Sequence, residues 1–126
     1  MKVKIYYHNT DTGGVVYYGE YLKFLEEART EFLCERGISV KNLIEQGTIF
    51  VVARQEIDYK APAFYADELT ILTKLANIST VRLEFEYEIK NQKGQIICTA
   101  KTFMACVDKN LKPKAIPPDI KEGLAK

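Results

Sequence analysis

Residues 81–90, VRLEFEYEIK, alternate without a break. Leu83, Phe85, Tyr87 and Ile89 fall on one side; Arg82, Glu84, Glu86, Glu88 and Lys90 fall on the other. A period of two sustained this far fits a strand with one buried face and one solvated face. The chain is thereby committed to a sheet that needs cover on one side. Three neighbouring segments repeat the pattern: residues 48–59 (TIFVVARQEIDY), 68–78 (ELTILTKLANI) and 95–108 (QIICTAKTFMACVD). Each reads as a long strand. Pro62, in APAFYAD, separates the first pair, and the turn-type NQKG of residues 91–94 separates the last pair. Near the start, Val3, Ile5 and Tyr7 alternate with Lys2, Lys4 and Tyr6, which predicts a short strand.

One segment departs from this period. Over residues 18–36, Tyr21, Leu25, Ala28 and Phe32 recur at three- and four-residue spacing, and Leu22 and Leu33 widen the stripe. Lys23, Glu27 and Glu31 take the opposite side, and Gly37 is a stop signal. Residues 38–47 carry no clear period. PKAIPPD closes the sheet, and DIKEGLAK is expected to add a last helical turn. The order is a short strand, one long helix and four long antiparallel strands, which is an α+β pattern. A sheet of about five strands wrapped round one long central helix is the hot-dog architecture. Residues 1–126 are expected to form a single domain of this kind. Its edge strand and uncovered apolar surface favour pairing with a second copy, as a homodimer or homotetramer.

Composition removes several function classes. The 18 basic and 17 acidic residues leave a net charge of +1, with no basic block to bind nucleic acid. No apolar run is long enough for a membrane span. The opening MKVKIYYHN lacks the apolar stretch of a signal peptide. Cys34, Cys98 and Cys106 are an odd number without close pairing. They read as reduced, packing thiols of a cytoplasmic protein.

The stretch YYHNTDTGGVVYYGEY, residues 6–21, is where chemistry is expected. Asp11 lies beside the Gly13–Gly14 pair, just ahead of the helix. A turn or N-cap aspartate is the plain alternative, but Asp11 is about seven residues too early for a cap. Glycines let backbone approach a ligand closely. Free N–H groups at a helix start favour an oxyanion. A carboxylate beside such a group suits attack on an activated carbonyl. The single histidine, His8, reads as an exposed residue at a strand end, with nothing to place it in a triad. No Cys or His cluster has metal-ligand spacing, and GG alone is not a phosphate loop.

The pattern Y-x-x-N-T-D-x-x-G-V-V-Y-Y-x-x-Y resembles the signature of hot-dog acyl-CoA thioesterases of the 4-hydroxybenzoyl-CoA type. It is most similar to their bacterial Tol–Pal-associated branch, whose usual form is D-T-D-x-x-G-V-V-Y-H-x-x-Y. Glu26, Ala28, Arg29 and Glu31 match the E-x-A-R-x-E helix that follows in that branch. DYKAPAFYADEL (58–69) and CVDKNLKPKAIP (106–117) resemble its later segments, so the likeness covers nearly the whole chain. The resemblance implies hydrolysis of an acyl-CoA to free acid and CoA, without metal or redox cofactor, in an oligomer with sites at subunit interfaces. It places the nucleophile or general base on Asp11 and the oxyanion-binding backbone N–H on Tyr18. It places Gly14, Val15, Val16 and Tyr17 along the thioester. Two positions depart from the branch. Asn9 replaces its first Asp and is expected to shape the loop, and Tyr18 replaces its histidine, as in the aromatic-acyl members.

Two rival expectations stand beside this one. A hydratase on the same fold would pair an Asp with a His, and His8 precedes Asp11 on the strand side, which argues against it. A non-catalytic acyl-CoA binder, or an interaction protein of the envelope or of lipid synthesis, would keep the fold and could dispense with Asp11. Lys60, Arg82, Lys112 and Lys114 could meet CoA phosphates but read equally as surface charge.

Overall fold

The alternating segment forms an antiparallel strand in a computed structural model that describes residues 1–125. In chain order the strands are β1 (Lys2–Lys4), β2 (Ile49–Tyr59), β3 (Glu68–Ile78), β4 (Arg82–Lys90) and β5 (Ile96–Val107). They form one five-stranded sheet in the order β1-β3-β4-β5-β2. Every pairing is antiparallel, and the register includes Phe85 opposite Thr102 and Tyr59 opposite Cys98. Leu83, Phe85, Tyr87 and Ile89 are buried on one face, as the alternation requires. Register shifts between Val52 and Arg54 in β2 and between Leu75 and Asn77 in β3 each add a bulge. Bulges of this kind increase strand twist and bend the sheet round what it covers.

The cover is α1, Glu20–Glu35. Tyr21, Phe24, Leu25, Ala28, Phe32 and Leu33 form its buried stripe. The Phe32 ring meets Phe85 of β4 edge-on, with centroids 5.6 Å apart, and so ties helix to sheet. Gly37, at φ 74°, ends the helix; its N–H donates to the Cys34 carbonyl, and the Ile38 N–H donates to Leu33. These two bonds make a Schellman cap. One sheet wrapped round one long helix is the hot-dog fold.

Several expectations need correction. Leu22 does not widen the stripe: it is 47% exposed, since one residue turns it about 100° away from Tyr21. The first strand ends at Lys4, and Tyr7 lies outside it, in a 3-10 turn over Tyr7–Asn9. The Asn9 side chain causes this by accepting the Tyr6 N–H at 2.8 Å and drawing the chain in. Residues without a clear period include a second helix, α2 (Val40–Glu45), capped by the Ser39 hydroxyl on the Asn42 N–H. Cys34 does not pack: it is exposed, while Cys98 and Cys106 are buried, and all three are free thiols. The expected last turn is present as α3, Pro118–Leu124.

Candidate active site

The loop ahead of α1 is a miniature hairpin. Thr10 bridges Val16, the Asp11 N–H donates to the Val15 carbonyl at 2.9 Å, and the Gly14 N–H donates to the Asp11 carbonyl at 3.0 Å. That last bond closes a tight turn centred on Thr12 and Gly13, and Gly14 at φ 81° supplies the left-handed residue that follows such a turn in a three-residue hairpin loop. Asp11 Oδ1 accepts the Gly13 N–H at 2.8 Å, an Asx turn. A side chain on Gly13 would come 3.2 Å from that oxygen. The turn role of Asp11 is therefore real, but it occupies one oxygen. Among the described residues nothing bonds Oδ2, and Asp11 is exposed. Asp11 caps no helix: Gly19 holds the N-cap position, with no side-chain capping bond.

Asn9 anchors the loop from beneath. It is 5% exposed; its carbonyl accepts the Tyr17 N–H at 2.9 Å, and its Nδ2 donates to Glu20 Oε2 at 3.3 Å. The loop-shaping part expected of Asn9 is what its contacts perform. A second brace comes from residues 60–67. Val16 donates to the Ala63 carbonyl, Val15 bridges Phe64, and Asp67 Oδ2 accepts the Phe64 N–H.

Between loop and helix, the chain turns at residues 17–20, where the Glu20 N–H donates to the Tyr17 carbonyl. Among the described residues, neither the Tyr18 N–H nor the Gly19 N–H finds an acceptor. The Tyr17 and Tyr18 rings lie 4.6 Å apart and are largely exposed. The Tyr18 carbonyl accepts the Tyr59 hydroxyl. The Tyr59 ring in turn lies 5.6 Å from the buried Tyr21 ring. Of the residues expected along a thioester, Gly14, Val15 and Tyr17 reach the loop surface, whereas the Val16 side chain is 5% exposed and belongs to the core. Only the Val16 backbone borders the loop. His8 is exposed and stacks on Tyr6 with centroids 6.0 Å apart.

Two hollows lie elsewhere. One of about 460 Å³ opens on the outer sheet face among Glu56, Leu72, Lys74, Glu86 and Lys101. The other, about 180 Å³, lies between α1, α2 and β2, lined by Glu26, Arg29, Leu33, Phe50 and Met104. Neither contains a residue of the Asp11 loop, so cavity size does not locate the chemistry here. Lys114 is already engaged, with Nζ on the Thr48 hydroxyl at 2.6 Å. Sequence reasoning missed Tyr59, whose bond to Tyr18 spans 41 residues and has no local signal. Among the described residues, no helix is long and apolar enough to cross a membrane.

Comparison with known proteins agrees with the fold. The thioesterase-like superfamily matches over residues 6–124. The acyl-CoA thioester hydrolase YbgC of Escherichia coli O6:H1 is 37% identical over 119 residues, covering 94% of this chain and 89% of that protein. The acyl-CoA thioesterase YbgC of Haemophilus influenzae is 36% identical over 121 residues, covering 94% and 88%. The solved DHNA-CoA thioesterase of Staphylococcus aureus superposes with a TM-score of 0.95 at 29% identity, covering 99% of this chain and 87% of that one. With a family match over nearly its whole length and the fold to accompany it, the chain belongs to the thioesterase-like superfamily.

Proposed function

We propose that this chain is an acyl-CoA thioester hydrolase whose chemistry rests on Asp11 and the Tyr18 N–H. The observation that carries the reading is the half-engaged carboxylate. One oxygen is held by Gly13, and the other is open, a few residues before a backbone N–H without an acceptor. Fixed by its Asx turn, Asp11 has a set orientation at little entropic cost. As general base, Oδ2 takes a proton from water while the water oxygen attacks the thioester carbon. The carbonyl oxygen gains charge, and the Tyr18 N–H is the donor available to it. Collapse breaks the C–S bond, and the CoA sulfur leaves with a proton. As nucleophile, Oδ2 would attack the carbon directly, and water would then open the mixed anhydride. Gly14, Val15 and Tyr17 border the path of the thioester. Like the YbgC relatives by name, the chain would act on an acyl-CoA.

Residues 1–126 act as one domain in this reading, and the working unit is a homodimer or a larger assembly of dimers. Beyond its ladder with β5, β2 has an open edge, and Val52 (48%), Ile44 (49%) and Tyr59 (48%) are exposed on large apolar side chains. A second copy on that side would cover them and wall the open loop. An acyl-CoA substrate and free thiols fit a cytoplasmic site of action.

The test is loss of thioester absorbance across a panel of short, long and aromatic acyl-CoAs. Hydrolysis by the wild type and none by Asp11→Asn supports the assignment. Binding without turnover in both would make the chain an acyl-CoA binder. A single turnover in ¹⁸O-water, with peptide mapping of Asp11, identifies the nucleophilic role if label enters the carboxylate, because only water opening the anhydride at the aspartyl carbon leaves it there.

A further inference from the structure

The start of α1 has no side-chain cap, so something else must hold the residue 17–20 turn. Two backbone bonds act at its ends: Tyr17 N–H to Asn9 and Glu20 N–H to the Tyr17 carbonyl. The peptide between Tyr18 and Gly19 is fixed from outside the loop, by the Tyr59 hydroxyl donating to the Tyr18 carbonyl at 3.2 Å. Tyr59 is well placed to be the stiff member of this pair. It ends β2, is in register with Cys98, and is followed by Lys60 and Ala61, whose N–H groups both donate to the Ile97 carbonyl. Its ring rests against Tyr21, which is 3% exposed. Burial raises the Tyr59 phenol above the ordinary tyrosine value, so at neutral pH it keeps its proton and remains a donor.

In a trans peptide the carbonyl and the following N–H point in opposite directions. Fixing the Tyr18 carbonyl therefore also fixes the Gly19 N–H, and it limits rotation of the preceding Tyr18 N–H. Both are groups without an acceptor.

We infer that Tyr59 is a positioning residue for thioester hydrolysis: from the end of β2, its hydroxyl holds the Tyr18 carbonyl and so aims the Tyr18 and Gly19 N–H groups at the developing oxyanion. This rests on the thioesterase reading above and adds a residue that the family likeness does not assign. Tyr59 touches no reacting atom. Its effect is on alignment, and alignment matters most in the transition state, where donors must meet the oxygen at hydrogen-bond distance.

The test is Tyr59→Phe, which removes the hydroxyl and keeps the ring on Tyr21. Wild type, Tyr59→Phe and Asp11→Asn are assayed together on the best acyl-CoA. The expected result for Tyr59→Phe is a fall in kcat of about tenfold, with KM within about twofold. That is less than the roughly 10²–10³-fold that losing an oxyanion donor itself costs. Amide resonances of Tyr18 and Gly19 should shift while those in the middle of α1 stay. A kcat within twofold of wild type overturns the inference, as does a change confined to KM. If Tyr59→Phe melts early, Tyr59→Leu is assayed beside it well below both melting points. Equal losses of kcat in the two overturn the inference if the Tyr18 and Gly19 resonances are unmoved in Tyr59→Phe, and support it if they shift there. An active Asp11→Asn, or an inactive wild type, defeats the functional reading itself and this inference with it.

Discussion

In the proposed mechanism Asp11 serves two purposes with two oxygens, and substitutions can separate them. Asp11→Asn keeps an amide oxygen to accept the Gly13 N–H, so the Asx turn survives while the charge is lost. We expect kcat to fall by at least about 10²-fold, with the melting temperature nearly unchanged and acyl-CoA binding retained. Asp11→Ala loses both functions and should also cost about 1 kcal/mol of stability. Chemical denaturation of the two variants side by side, with activity measured on the same samples, checks this. The thiols separate as cleanly. Cys34 is exposed, whereas Cys98 and Cys106 are 0% and 1% exposed. A disulfide reagent should therefore label one thiol per native chain quickly and all three only after unfolding. Burial pushes the Cys98 thiol up to about 12, so it supplies no nucleophile at neutral pH. Cys34→Ser should leave turnover near wild type.

At the scale of elements, legibility followed length. The strand over residues 68–78 and the alternation of β4 could be read directly, because eleven and nine residues give a period time to repeat. With six residues, α2 covers fewer than two turns, too few for a stripe; its signals were the caps, Ser39 before it and Gly47 at φ 82° after it. The proposed site is legible where it is contiguous, from Asn9 to Tyr18, and illegible where the Tyr59 contact enters from a distant strand. The caps permit a clean measurement. A Cβ on Gly37 would meet nothing within 4 Å, so Gly37→Ala adds left-handed backbone strain without a clash. It should cost about 1 kcal/mol, read as a fall in melting temperature of a few degrees, with activity per folded molecule intact.

For the whole molecule, the exposed apolar side chains near β2 predict a symmetric oligomer at micromolar concentration, measured by light scattering. Dilution below the dissociation constant of the oligomer should reduce specific activity if the second copy completes the site. Two groups inside the helix–sheet core lower stability at alkaline pH. Burial raises Cys98 from 9.0 to about 12 and, with Cys98 nearby, raises Tyr21 from 10.0 to about 12. For both, the native state holds a proton that the unfolded chain gives up. Their contribution is complete below pH 9 and is lost as pH rises toward 12, at up to about 1.4 kcal/mol per pH unit for each group. Melting temperature should decline through that window, and Cys98→Ala should flatten its lower part.

The strand order has a consequence for how the chain is made. In the sheet, β5 lies between β4 and β2, yet it is synthesised after both. A nascent chain that has emerged as far as Gly94 has β1, β3 and β4 ready to pair, while β2 has no neighbour. Only emergence of residues 96–107 from the ribosome joins the two parts, through both ladders at once. Until then β2 is an unpaired strand with an apolar first half, Ile49 to Ala53, and this is the interval in which a chaperone has something to hold. The Tyr59 hydroxyl can meet Tyr18 in its final setting only after that same event.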